Sequence, residues 1–223
     1  FVGVGLASPT RLGIPGEQLA GVVDALDFID DVTTRKWKSI DVGKWVAVIG
    51  AGNTAIDAAT EAKRLGAEQV YMIYRRSEKE MPAYEFEFEL AKNDGVQFMF
   101  QTAPKRIIGK KHVEAIECIR MKLGAPDTDG RRKPVPVPRS EFKLPVDMVI
   151  KSVGQNIEDS FLSQIPNLKT KNGMVVIDQQ TYQTRNPKYF AGGDCINGGK
   201  EVVNAAYDGK RAAHDIERFL FSK

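Results

Sequence analysis

Thiols and imidazoles are scarce in this chain of 223 residues: it has two cysteines, Cys118 and Cys195, and two histidines, His112 and His214. The cysteines are far apart and form no Cys-x-x-Cys pair, which excludes a local dithiol redox motif. Neither histidine has a second ligand at a metal-binding spacing, so no metal site is expected. Two isolated thiols fit a reduced, cytoplasmic protein. No apolar run approaches the roughly 20 residues that span a bilayer, and no signal-peptide pattern is present, so no membrane partner is expected. Charge of one sign is also lacking: 32 basic residues face 29 acidic ones, a net +3, too mild to argue for nucleic acid. There are no internal repeats, and the only biased stretch is the alternation Pro134, Pro136, Pro138. An initiator methionine is missing too. The chain opens Phe1-Val2-Gly3-Val4-Gly5, already inside an apolar run, and reads as the middle of a longer protein.

The chain does have a 42% hydrophobic and 27% charged composition, ordinary for a globular protein and enough to bury one large core or two small ones. Its most informative stretch is Trp45-Val46-Ala47-Val48-Ile49-Gly50-Ala51-Gly52-Asn53-Thr54-Ala55. This reads as a buried strand, a glycine turn and a helix start, the way a protein holds a dinucleotide pyrophosphate. Gly50 permits the tight turn, Gly52 lets the backbone approach the phosphates, and Ala55 is the small residue that lets helix and strand pack. The helix N-terminus offers free N–H groups and partial positive charge, and Asn53 and Thr54 can add side-chain hydrogen bonds. Alone, a Gly-x-Gly-x-x-Ala turn also fits a ligand-free α/β domain.

Its context strengthens it. Residues 54–65 carry small and apolar residues at helical spacing, ended by Gly66, and 70–74 read as a second strand; strand, helix and strand make one parallel βαβ unit. That second strand runs into Arg75-Arg76. An acid there would grip an NAD ribose; two guanidiniums suit the 2′-phosphate of NADPH. Adjacent arginines are otherwise solvated surface charge. Lys79 is a weaker helper.

The rest of the chain is organised around this unit. Phe1–Gly5 reads as a short buried strand, and Gly3-Val4-Gly5 is rejected as a dinucleotide turn because Pro9 and Gly13-Ile14-Pro15-Gly16 forbid a following helix. Residues 24–31 read as a short helix, and the polar segment 33–39 as a domain boundary. The spacing predicts a helix over 81–92, a strand over 96–100, antiparallel β structure over 105–123, a loop-like stretch with an extended proline edge over 124–140, and a strand over 144–153. Short strands are expected at 174–178 and 189–194, then a long helix over 201–220 with Val202, Val203, Ala206, Ala213, Ile216 and Leu220 inward. Gly193-Asp194 before that helix is a second candidate site, where the Asp can bond a ribityl hydroxyl and the helix start near Val202 can face a flavin. The alternative is a capping Asp in a turn.

Taken in order, Val-Ile-Gly-Ala-Gly-Asn-Thr-Ala-Ile-Asp (48–57), Tyr-Arg-Arg (74–76), Met81-Pro82-Ala83, Ser152-Val153-Gly154-Gln155 and Phe-Ala-Gly-Gly-Asp (190–194) resemble the small-subunit glutamate synthase family of NADPH-linked flavoproteins, which includes the amino-terminal half of dihydropyrimidine dehydrogenase. The resemblance covers nearly the whole chain. It implies an α/β protein: a Rossmann-like NADPH domain with a parallel sheet and a β-meander, inserted in an incomplete second Rossmann-like domain for FAD. On that pattern residues 1–30 and 155–223 belong to the FAD domain and 31–154 to the NADPH domain. The family implies NADPH contacts at Gly52, Asn53, Thr54, Ala55, Arg75, Arg76 and Gly154, and FAD contacts at Gly193, Asp194 and Val202. It also implies hydride passage from NADPH to FAD and on to an iron–sulfur acceptor on a partner subunit or domain, with no catalytic acid or base required. The family's amino-terminal FAD fingerprint and iron–sulfur cysteines are missing here, which places them upstream of Phe1. Two rivals stand beside this reading: a disulfide reductase of the thioredoxin-reductase kind, which needs a dithiol near the flavin, and an isolated module that binds NADPH without turnover.

Overall fold

The structure, a computed structural model, describes residues 1–126 and 130–221. In chain order the elements are β1 (Ser8–Pro9), β2 (Val22–Asp24), α1 (Ala25–Thr34), β3 (Trp45–Ile49), α2 (Asn53–Arg64), β4 (Gln69–Ile73), α3 (Glu85–Asn93), β5 (Gln97–Met99), β6 (Thr102–Ile108), β7 (Ala115–Pro126), β8 (Arg132–Pro136), β9 (Phe142–Pro145) and β10 (Met148–Lys151). These are followed by β11 (Gln155–Asn156), α4 (Asp159–Leu162), β12 (Thr170–Lys171), β13 (Met174–Val175), α5 (Asp194–Asn197) and α6 (Val202–Phe221). Two compact units result, one of residues 11–153 and one of residues 1–10 with 154–223. Among the described residues no helix is long and apolar enough to cross a membrane.

In the 11–153 unit a five-stranded, wholly parallel sheet has the order β2-β10-β3-β4-β5. Both faces are covered, so its central strands are apolar without a break. Val46 and Val48 of β3 point into a core shared with Phe28 and Val32 of α1 and with Ala55, Ile56, Ala59 and Ala62 of α2. Ala47 and Ile49 point the other way, into a core closed by Ile107, Val113, Ile116 and Cys118 of the β6–β7 region. The small residues of α2 let it lie close on the sheet. The helix ends where Gly66, at φ +111, donates to the Lys63 carbonyl while Ala67 donates to Ala62, the paired bonds of a left-handed glycine stop.

On the second face β7 is the long strand of an antiparallel meander. It pairs with β6, with β9 near its start and with β8 near its end. This is the expected α/β arrangement of parallel sheet and meander, with four differences of detail. The run 144–153 is two strands: Asp147 accepts from the amides of Lys44 and Trp45 at 3.1 and 2.9 Å, and the chain leaves the meander at β9 to enter the parallel sheet at β10. The stretch 124–140 is partly strand, because β7 continues to Pro126 and β8 lies along it; residues 127–129 of that stretch lie outside the described residues. The helix expected at 24–31 extends to Thr34. The segment 33–39 does not separate the compact units: β2 pairs with β10 in the parallel sheet, and α1 shares the core of α2.

The unit of residues 1–10 and 154–223 has a smaller core of Val2, Ile157, Leu162, Val175, Ala191 and Cys195. Two short antiparallel ladders, β1 with β11 and β12 with β13, belong to it. Neither Phe1–Gly5 nor Tyr189–Asp194 forms a full strand. Among the described residues single bridges join Val2 to Ala191 and Gln183 to Phe190. The long helix α6 is present, but its inward face is not the expected one. Val202, Val203 and Leu220 are 82, 64 and 59% exposed, Ala206 and Ala213 are exposed, and only Ile216 is half-buried. The face turned to the unit carries Ala205, Asp208, Ala212 and Asp215, where small residues admit close approach and Asp208 bonds the chain beneath.

Candidate functional site

The turn after β3 sits between two neighbouring strands. Gly50 donates its amide to Ile73 of β4 at 3.1 Å, and Ser152, just past β10, donates to Ile49 at 2.8 Å. The chain crosses from β3 through α2 to β4, whereas β10 on the other side returns from far along the sequence. This is a reversal of strand order, and the crevice at the carboxyl ends of such strands is where open α/β sheets receive ligands. Gly50 has φ +139, and a Cβ there would stand 2.1 Å from the Ser152 carbonyl oxygen, so glycine is required twice over.

Gly52 is the N-cap of α2, and no side chain caps the helix. The Ala55 amide turns back to the Gly52 carbonyl at 2.9 Å, while the amides of Asn53 and Thr54, the first two helical residues, have no intrahelical carbonyl to reach and face out of the helix end. A Cβ on Gly52 would meet only Pro82, at 3.9 Å. Ala55 is fully buried against the sheet, while Asn53 and Thr54 are half-buried. The loop before α3 borders the turn: Ala83 donates to the Ala51 carbonyl at 3.3 Å and Tyr84 to Asn53 Oδ1 at 3.1 Å. That bond engages the Asn53 oxygen and leaves its amide NH2 as the group able to donate to a phosphate. Backbone N–H groups, a bare N-cap and a glycine cradle suit a pyrophosphate.

Arg75 and Arg76 are not equivalent. Arg75 is exposed and makes no side-chain bond with another described residue. Arg76 is buried and donates Nε to the carbonyl of Arg132 on β8 at 3.0 Å. Lys79 is exposed. Ser77 and Glu80 close a capping box around the short turn between them, and the Glu80 carboxylate accepts from Arg132 Nε at 2.6 Å. The Arg132 guanidinium and then the Ser77 hydroxyl hold the Glu80 carboxyl down at a pKa of about 2. Ser77-x-x-Glu80 was readable as a capping signature; nothing in the sequence marked Arg132 as its partner.

In the other unit Gly193 has φ +76, a backbone that favours glycine, and donates its amide to Asp208 Oδ2 at 3.0 Å. Asp208 also accepts from the Tyr182 hydroxyl at 3.1 Å. Asp208 was missed in the sequence because it lies on a helix face expected to be solvated. Asp194 opens the short helix α5 and accepts from the Lys200 amide at 3.1 Å, while Val202 stands exposed at the start of α6. Gly154 has φ +104, and its carbonyl accepts from Thr10 at 3.0 Å. Cys118 and Cys195 are both buried and free. Burial pushes the Cys118 thiol up to about 12 and raises that of Cys195, so neither is a reactive thiolate. Among the described residues no cluster of His, Cys, Asp and Glu fit to hold a metal ion is present.

The family model described as pyridine nucleotide-disulphide oxidoreductase matches residues 1–209. The chain belongs to this family. It is 41% identical over 223 residues to the NADP(+)-dependent formate dehydrogenase subunit beta of Moorella thermoacetica, covering 99% of this chain and 31% of that protein. It is 35% identical to the glutamate synthase [NADPH] small chain of Halomonas elongata, covering 99% of this chain and 49% of that one. The chain thus spans between about a third and a half of these relatives. Among solved structures, FprA of Mycobacterium tuberculosis in complex with NADPH matches with a TM-score of 0.74 over 98% of this chain and 63% of that one, at 21% identity, a likeness of fold. The similarity to glutamate synthase small chains agrees with the resemblance carried by the ordered motifs.

Proposed function

We propose that the sheet-bearing part of this chain, residues 31–154 in the sequence reading, binds NADPH. We further propose that the parent protein is a flavoprotein oxidoreductase that passes reducing equivalents from NADPH to FAD and on to an iron–sulfur acceptor. The observation that carries the reading is the uncapped start of α2 behind the Gly50 turn. In it Gly52, Asn53, Thr54 and Ala55 hold the pyrophosphate, backbone N–H groups supplying most of the bonds and the Asn53 amide adding one. Arg75 reaches the adenosine 2′-phosphate, Arg76 anchors the loop that presents it, and Gly154 is a further NADPH contact that the family resemblance implies. Gly193, Asp194 and Val202 belong to the flavin site, with Asp208 fixing the Gly193 amide. NADPH supplies a hydride and FAD the means to release its electrons singly, so positioning by the chain, without a side-chain acid or base, is what the step asks of the protein.

Two of the relatives are named as a small chain and a subunit beta. This supports an electron-acceptor subunit or domain as the partner, with the iron–sulfur cluster held there or in a region outside this chain. Calorimetric titration with NADP+ and NAD+ tests the cofactor reading: clear preference for NADP+ is expected, and equal or absent binding of the two would overturn it. Diaphorase activity with added FAD separates a complete electron path from cofactor binding alone.

A further inference from the structure

We propose that Glu80 and Arg132 are positioning residues that set the preference for a 2′-phosphorylated cofactor by holding the loop that presents Arg75. The proposal rests on the NADPH reading of that loop and adds what governs its selectivity.

The loop after β4 is closed into a ring through β8. Arg76 Nε donates to the Arg132 carbonyl at 3.0 Å. The Arg132 side chain turns back and donates Nε to Glu80 Oε1 at 2.6 Å. The other carboxylate oxygen of Glu80 accepts from the Ser77 amide at 3.2 Å and from the Ser77 hydroxyl, which returns the path to the residue next to Arg76. Arg132 also approaches the Ser77 hydroxyl, at 3.4 Å. Two further bonds fix the ring from outside: Tyr74 donates its hydroxyl to the Glu80 carbonyl at 2.7 Å, and Gln101 donates its amide to the Arg76 carbonyl at 2.9 Å.

Tyr74 and Arg76 are therefore both pinned and buried, and Arg75 between them is the residue left exposed. The Glu80 side chain is 9% exposed and that of Arg132 46%, so solvent screens the pair from the arginine side, and what holds the loop is the closed set of bonds rather than this ion pair alone. A guanidinium whose backbone is already fixed loses less freedom on meeting a phosphate. If the ring opens, the Arg75 backbone must be ordered at the moment of binding. That cost falls on a cofactor that uses Arg75 and spares one that does not. Ring opening should therefore change the ratio of NADP+ to NAD+ affinity, whereas a purely structural role would weaken both cofactors together.

The test titrates NADP+ and NAD+ into the wild-type chain, Glu80→Gln, Arg132→Gln and the double variant by calorimetry. Each single change should weaken NADP+ by up to about tenfold, the range expected for ordering one loop side chain on binding, with NAD+ unchanged. The double variant should be no weaker than the worse single one, because both remove one ring. Ser77→Ala, which removes the hydroxyl's bond to the same carboxylate and its contact with Arg132 but leaves the Glu80–Arg132 bond in place, should shift the ratio in the same direction and serves if Glu80→Gln does not fold. If the wild-type chain prefers NADP+ and these changes leave the ratio alone, or weaken both cofactors equally, the positioning role is wrong and the NADPH reading stands. If the wild-type chain shows no preference for NADP+, both fall.

Discussion

The carbonyl oxygen of Ser152 occupies the place where Gly50 would carry a side chain, 2.1 Å from an ideal Cβ. The turn after β3 and the exit from β10 are thus one packed unit, and the strands that flank the crevice cannot separate without disturbing the glycine. Gly50→Ala should destabilise the chain by about 1–3 kcal/mol from backbone strain alone, given φ +139, and the clash should add to it. Thermal melting checks this; an unchanged melting temperature would show that the turn has another shape in solution.

Arg75 and Arg76 should respond differently to replacement. Arg75→Ala should weaken NADP+ by about 1.5–3 kcal/mol, the value of a bond to a charged group, and leave both NAD+ binding and melting temperature unaltered. Arg76→Ala should lower the melting temperature, because it takes the Nε donor from the Arg132 carbonyl and empties a buried site. A pair of variants with the same profile would contradict the exposed and buried placements.

Acid should weaken the Glu80 ring over a defined range. Its folded carboxyl sits at about 2, below the ordinary 4.5, held first by Arg132 and then by Ser77. A group with a lowered folded value contributes stability that is complete above its unfolded value and is lost as pH falls toward the folded one. The wild-type chain should lose stability between about pH 4.5 and about pH 2, and Glu80→Gln should show a shallower loss over the same interval. Melting curves across that series decide it; parallel slopes for the two proteins would rule out a contribution from Glu80.

The two thiols should be silent in the folded chain. Cys118 and Cys195 are buried, and burial raises both above the usual thiol range. A colorimetric thiol reagent at pH 8 should react with neither until denaturant is added, then with both. Rapid labelling of the native chain would revive thiol chemistry as a function.

The β3–α2–β4 unit was legible because each signal had one physical cause. A strand covered on both faces shows an unbroken apolar run, and a helix pressed on a sheet shows small residues at 55, 58, 59 and 62. The candidate turn could be placed for the same reason. What escaped depended on partners remote in sequence. Arg76 is a buried anchor only because β8 brings a carbonyl to it, and Arg132 meets Glu80 across 52 positions. Asp147 divides two strands because it accepts the amides of Lys44 and Trp45, partners about a hundred positions away, so the run 144–153 reads in the sequence as one strand. On α6 the large apolar residues suggested the inner face, yet the packing follows small residues and the bonds of Asp208.

Pro134 and Pro136 lie on β8, which among the described residues pairs on one side only, with β7. The Val137 amide turns inward to Arg120 at 2.9 Å. By the two-residue period of an extended chain, the nitrogens of 134, 136 and 138 turn outward. Those nitrogens carry no hydrogen, so the free margin of the meander offers no donors at alternate positions. Another polypeptide cannot extend this sheet in register, and the strand that steadies the arginine loop is thereby protected from edge-to-edge polymerisation.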